Sequence, residues 1–343
     1  MPAPPVSVVP ASPPAIINLP APLPKGVWEI WAQPLATGAA ALAAILAACV
    51  AMYVAFKNRQ QLEKQFVASH GLEQLRGLRD RYTAISAQLD SSSGTVRSAG
   101  VYALGALADD WLARNDSKEA QSCINLLCSY LRQPYLVRDE ADSMSGFTVR
   151  TQVDDKEYVE KHYDYRSDDV DVRDNIVLLI NNHLRRDAAI SWSDLEFDFK
   201  GAYLRAARFG DCVFSKQVDF SGATFAGDSA NFTRTVFHHS ALFERVNFSC
   251  RYVWFESTQF LGGFASFDNA VFSGYSVDFK GAEFKNAYIG FDGAAWQCQQ
   301  VDFSEVDIVG NPIFNEGGKP PNIRPDIWPP RAAEAGVEGE SKH

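Results

Sequence analysis

The sequence predicts a mixed architecture: one membrane-spanning helix near the N-terminus, a small α-helical module, and a long solenoid of repeated coils. Three observations predict it. Ile30 to Phe56 is a run of 27 residues without a charge, long enough to cross a bilayer. Apolar residues spaced at three and four recur between Leu75 and Leu131, the signature of helices with one buried stripe. From Phe220 to Ile308 the chain repeats a phrase: a large apolar residue, five residues to the next, then usually seven to the one after. Phe255, Phe267, Phe279, Phe291 and Phe303 fall at intervals of 12, and Phe260, Phe272, Phe284, Trp296 and Ile308 follow each of them by five. That beat is neither helical nor a plain strand alternation. A fixed short period of this kind marks coils that each present the same face to a shared core.

Residues 1–26 are rich in proline and read as an extended, disordered tail that cannot build a core. The membrane segment follows over 27–56. Its strongest part, Leu35 to Phe56, carries the anchor residues Leu42, Ile45, Leu46 and Val50. At about 1.5 Å per residue it reaches about 33 Å, against a hydrocarbon core of roughly 30 Å. Trp28, Trp31 and Tyr53 lie near its ends, where aromatic rings settle at membrane interfaces. A signal peptide would have a basic front and a shorter apolar region, neither of which is present. Lys57, Arg59, Lys64 and Arg76 follow the segment, whereas Lys25 is the single basic residue before it. The asymmetry predicts a single-pass protein of the inner (plasma) membrane with its N-terminus outside and the rest cytoplasmic. The six cysteines show no paired spacing and read as free thiols in a reducing compartment, in agreement with that placement.

The helical module spans 57–135. Leu75, Leu78, Tyr82, Ile85 and Leu89 form a first stripe, ended by Ser91-Ser92-Ser93-Gly94. A second helix from about Val96 carries Val101, Leu104, Leu107 and Trp111; a third begins near Asp116, where Asp116 and Glu119 resemble a capping pair, and stops before Pro134. Residues 136–169 read as a solvated acidic linker: from 136 to 175 there are 12 Asp and Glu against 6 Lys and Arg. Over 170–190, Val172, Ile176, Leu179, Ile180 and Leu184 make one more helix, placed to cap the end of the repeats at 191–310. Residues 311–343, rich in Pro, Gly and charge, read as a disordered tail.

Two residues before most large centres sits a small one, as in Ala202 before Leu204, Ala223 before Phe225, Ala270 before Phe272 and Ala282 before Phe284. Segments such as Asp219-Phe220-Ser221-Gly222-Ala223-Thr224-Phe225 resemble pentapeptide-repeat proteins, over about residues 195 to 308. The resemblance implies a right-handed, quadrilateral parallel β-helix. Upstream, Arg81-Tyr82-Thr83-Ala84 with Gln88-Leu89, then Val96-Arg97 through Gly100-Val101-Tyr102-Ala103-Leu104, resembles the helical region that precedes such repeats in many bacterial membrane proteins. Those proteins usually have Glu after Tyr-Ala-Leu, and this chain has Gly105. The resemblance supplies a class and no reaction.

In a four-sided coil each side is a short strand whose central side chain points inward and stacks on its counterpart about 4.8 Å away. A coil closing after 12 residues is too narrow for two rings such as Phe255 and Phe260. Two units per coil, 24 residues, solve this if the extra residues bulge at corners. The expected core is then Phe220, Phe225, Phe255, Phe260, Phe267, Phe272, Phe279, Phe284, Phe291, Trp296 and Phe303, with Phe255, Phe279 and Phe303 on one side and Phe267 and Phe291 opposite.

No residue pattern points to catalysis, a cofactor or a metal. The six histidines lack helical metal spacing, and no phosphate loop, dinucleotide glycine pattern or nucleophile elbow occurs. His238-His239 reads as an exposed corner, and the recurring carboxylates Asp219, Asp278 and Asp302 as a solvated face. The net charge of -10 argues against nucleic-acid binding. The expected function is a non-enzymatic, membrane-anchored scaffold that offers its solenoid to a protein partner, with a second copy of the chain as a further expected partner. The alternative is a DNA mimic acting on a type II topoisomerase, as some members of the resembled family do; against it, residues 195–308 hold 14 acids and 9 bases on a tethered rod.

Overall fold

The structure is a computed structural model. It describes residues 26–135, 146–154, 157–164, 166, 168–205, 207–285, 287–309, 314–315, 319–320 and 322–327. The proline-rich stretch before residue 26 and the last residues after 327 lie outside them. The chain divides into two compact units, Met1–Gln74 and Leu75–His343.

In the first unit, helix α1 (Val27–Leu89) carries the uncharged run. It is the one described helix long and apolar enough to cross a membrane. Leu42, Ile45, Leu46 and Val50 are each 59–65% exposed, so no protein surface covers them.

In the second unit, Leu78, Ile85 and Leu89 near the end of α1 are buried with α2 (Gly94–Leu112), α3 (Ser117–Leu131) and α4 (Asp169–Leu184). The Asp116 carboxylate accepts a hydrogen bond from the Glu119 backbone N–H at 3.3 Å, the cap foreseen for α3. Gly105 on α2 has a physical reason: a Cβ there would lie 2.8 Å from a methyl group of Leu179 on α4. The glutamate usual at that place in the resembled proteins does not fit this packing.

Buried charge ties the three helices together. The Arg97 guanidinium, fully buried on α2, donates to Asp168 at 2.6 Å and to the carbonyls of Ser91 and Ser92. Asp169, at the start of α4, accepts from Arg173 Nε at 2.7 Å and from the Tyr130 hydroxyl of α3. Arg173 also donates to the carbonyls of Leu131 and Gln133, both at 2.9 Å. Removing one member would leave an uncompensated buried charge, so the network fixes how the helices meet.

Three features differ from the sequence reading. Within the expected linker, Gly146–Asp154 (β1) and Glu157–Asp164 (β2) form an antiparallel hairpin. Composition concealed it because charge is paired across the strands. Arg150 lies 3.3 Å from Glu160 and over the Tyr158 ring, while Phe147 and Tyr163 stack at 5.4 Å. At the other end, the expected tail contributes strands Phe314–Asn315 and Ile323–Arg324 to the solenoid, with Pro320 and Ile323 buried. The capping helix is also shorter than 170–190, because Arg185 leaves it in an extended conformation.

The solenoid has four parallel sheets. Sides one to four begin with Phe197–Asp198, Tyr203–Leu204, Ser229–Asn231 and Val213–Phe214. Later coils pair at a separation of 24 residues, as in Val253 with Val277 and Phe260 with Phe284. Earlier ones pair at 23, as in Phe225 with Phe248, and the first at 21, as in Leu204 with Phe225. Corners one-to-two and three-to-four are tight, and the additional residues sit at the other two. Phe255 stacks on Phe279 at 4.8 Å and Phe279 on Phe303 at 4.7 Å on side three; Phe267 stacks on Phe291 at 5.0 Å on side one, opposite. The interior is narrow enough that Phe255 also meets Phe267 edge-on at 5.3 Å. Of the core residues named from sequence, Trp296 is partly buried and the rest are at most 2% exposed.

Candidate interaction surface

Each tight corner is a four-residue turn. In Phe220-Ser221-Gly222-Ala223 the Ala223 N–H donates to the Phe220 carbonyl at 2.9 Å, and Gly222 has φ +68°. A positive φ at the third position belongs to a type II turn. The same place is held at φ between 53° and 62° by Asp211, Arg234, Arg245, Ser257, Asn269 and Glu305.

The carboxylates of the repeated phrase are part of these turns. Asp219 accepts from the Ser221 N–H at 2.9 Å, Asp278 from Lys280 and Asp302 from Ser304, both at 2.7 Å. Asn231 caps Thr233 in the same way at 2.8 Å. Where Gly290 takes this place, Asp268 reaches in from the neighbouring coil and accepts from the Asp292 N–H at 2.8 Å. These are Asx caps rather than a merely solvated row. Burial raises the Asp219 carboxyl, but hydrogen bonds from Ser221 and from Lys200, 2.9 Å away, outweigh it and hold the group below the usual range. Asp278 moves the other way: burial pushes it up, and Asp302 and Glu256 reinforce the shift.

Inward polar groups are equally committed. Thr235 and Thr258 stand where the repeat has alanine, and their hydroxyls donate to the Phe209 and Phe232 carbonyls. Five of the six cysteines are buried; burial raises Cys212 to about 12 and Cys250 and Cys298 to about 11, which suppresses the reactive thiolate. His238 and His239 lie exposed at a wide corner. Among the described residues no group of three or more His, Cys, Asp or Glu is placed to hold a metal ion.

The outer faces carry what remains. On side three Tyr252 and Trp254 stand side by side at 5.7 Å, Tyr275 meets Tyr252 edge-on at 6.0 Å, and the Arg251 guanidinium lies over Tyr252. On side one Phe264, 56% exposed, touches Tyr288. These five rings fall off the 12-residue beat, and that displacement is the sequence signal for an outward aromatic.

Comparison with known families agrees with this geometry. Residues 199–247 match the family described as pentapeptide repeats (9 copies). Over those residues the solenoid is built of pentapeptide repeats. No curated protein and no solved structure matches the chain. The match covers the first part of the solenoid, and the same parallel pairing continues beyond it to Ile323–Arg324.

Proposed function

We propose that the chain is a membrane-anchored, non-enzymatic scaffold whose pentapeptide-repeat domain receives a protein partner on the cytoplasmic side of the plasma membrane. The carrying observation is the division of labour within the coils. Inward side chains stack on one another, the recurring carboxylates cap turns, and the outward aromatic ledge of Tyr252, Trp254 and Tyr275 is left for recognition. Tyr and Trp are the side chains that most often anchor an interface. The uncovered apolar residues of α1 supply the tether, and the basic residues after it favour a cytoplasmic repeat domain.

Affinity capture from detergent-solubilised membranes tests the reading, with the intact chain compared against a Tyr252→Ser/Trp254→Ser variant. A protein recovered in stoichiometric amount with the first and lost with the second is the expected result. Equal recovery with both removes the ledge from the account. Topoisomerase subunits in the eluate would favour the DNA-mimic alternative instead.

A further inference from the structure

The scaffold reading leaves unused a cleft of about 290 Å³ formed where the hairpin, the end of α3 and the start of α4 meet. One part of its wall is aromatic: Phe147 and Tyr163 stack at 5.4 Å with 19° between their planes, and Tyr135 lies under the Arg173 guanidinium at 4.7 Å. Another part is cationic. Lys161 places its ammonium 5.2 Å from the centre of the Tyr163 ring, Arg166 lies between that same strand and α4, and Arg173 is 4% exposed.

Asp169 neutralises Arg173, so the cationic character of the wall rests on Lys161 and Arg166. Both oxygens of Asp169 are engaged, by Arg173 and by the Tyr130 hydroxyl. Asp168 is held by Arg97 and the Gly94 N–H. Asp90 stands 3.7 Å from Arg166 with its side chain 92% exposed, where water screens the pair. A chain of net charge -10 thus keeps a concave spot in which Lys161 and Arg166 stand beside stacked rings.

We propose that this cleft binds a small anion bearing a planar ring, the chemistry of a nucleoside monophosphate. The ring would lie against Phe147 and Tyr163 while the phosphate meets Lys161 and Arg166 in charge-assisted hydrogen bonds. The volume is close to the lower end for small-molecule sites, roughly 300 Å³, which suits one nucleotide and excludes a larger cofactor. The proposal is independent of any partner on the solenoid.

Isothermal titration of the full chain in detergent micelles with AMP, GMP, CMP and UMP, and with inorganic phosphate, tests it. At least one nucleotide should bind with Kd below about 1 mM, and phosphate at least about tenfold more weakly. Lys161→Gln/Arg166→Gln, which keeps the side-chain stems, should weaken that nucleotide by about tenfold or more with an unchanged circular dichroism spectrum. Should that pair disturb the hairpin, the single Lys161→Gln variant, at an exposed position, gives the same comparison. Absence of binding by all four nucleotides up to about 5 mM, phosphate binding as tightly as the nucleotide, or undiminished affinity in the variants would overturn it.

Discussion

Phe255 and Phe279 stack face to face at 4.8 Å with 8° between their ring planes, although the chain makes a full circuit of the solenoid between them. Such contacts repeat along every side, so each ring away from the ends of a stack is held by one above and one below. Phe267, stacked on Phe243 at 4.9 Å and on Phe291 at 5.0 Å, is fully buried in the middle of side one. Phe267→Ala should cost about 3 to 5 kcal/mol, since no adjacent coil can move in to fill the space. Urea denaturation followed by circular dichroism reads the loss, and a change below about 1 kcal/mol would mean that the ring is not a structural rung.

Asp219 and Asp278 occupy equivalent places in the repeat but respond to pH with opposite signs. Asp219 is depressed below the usual 3.8, so its ionised form stabilises the fold above that value, and the contribution is lost as pH falls through the depressed pKa. Asp278 is raised, so ionising it opposes folding, and stability declines as pH rises from 3.8 through its pKa. Both caps survive replacement by asparagine. Asp219→Asn is therefore expected to destabilise at pH 7 by about 1 to 2 kcal/mol, through the lost charge-assisted bond from Lys200. Asp278→Asn should leave stability unchanged or raise it. Thermal melts at pH 3 and pH 7 compare the two, and a loss at pH 7 from Asp278→Asn equal to that from Asp219→Asn would refute the assignment.

Two glycines should answer alanine in opposite directions. At Gly222 the backbone has φ +68° and the nearest neighbour of a new Cβ is 3.9 Å away, so the cost of Gly222→Ala is conformational, about 1 kcal/mol. Gly77 lies within α1, with nothing within 4 Å of a new Cβ, and Gly77→Ala should stabilise that helix by up to about 1 kcal/mol. Hydrogen exchange resolves the local change at each place, and two shifts of one sign would show that the corner is not what sets the cost at Gly222.

Gly105 is a packing requirement. Introducing the glutamate of the resembled bacterial proteins brings both bulk and charge against Leu179, and Gly105→Glu should destabilise the helical module by about 1 to 3 kcal/mol. Combining it with Leu179→Ala should recover part of the loss, because the clash is with that side chain. Denaturation of the single and double variants decides; a double variant with strictly additive losses argues against the contact.

The rhythm of Phe255, Phe260 and Phe267 made the solenoid and its circuit length legible, because the central inward position of most strands holds a large ring. The capping role of Asp116 was equally open to reading. Local composition misled where neighbours neutralise it: Arg150 and Glu160 look like linker charge until they face each other across a hairpin. The role of Asp219 was hidden for a related reason, as an outward carboxylate and a turn cap have the same spelling. Tyr252 and Trp254 escape a reading built on the beat because they fall off it, and the cleft beside Lys161 draws on segments too far apart in the chain for any spacing to connect them.

Fractionation of cells expressing the full chain tests the membrane anchor most directly. After washing in alkaline carbonate, the intact protein should remain with the membrane pellet, and Leu42→Glu/Ile45→Glu/Leu46→Glu should release it. Recovery of the unaltered, undigested chain in the carbonate supernatant would contradict the membrane anchor and with it the scaffold.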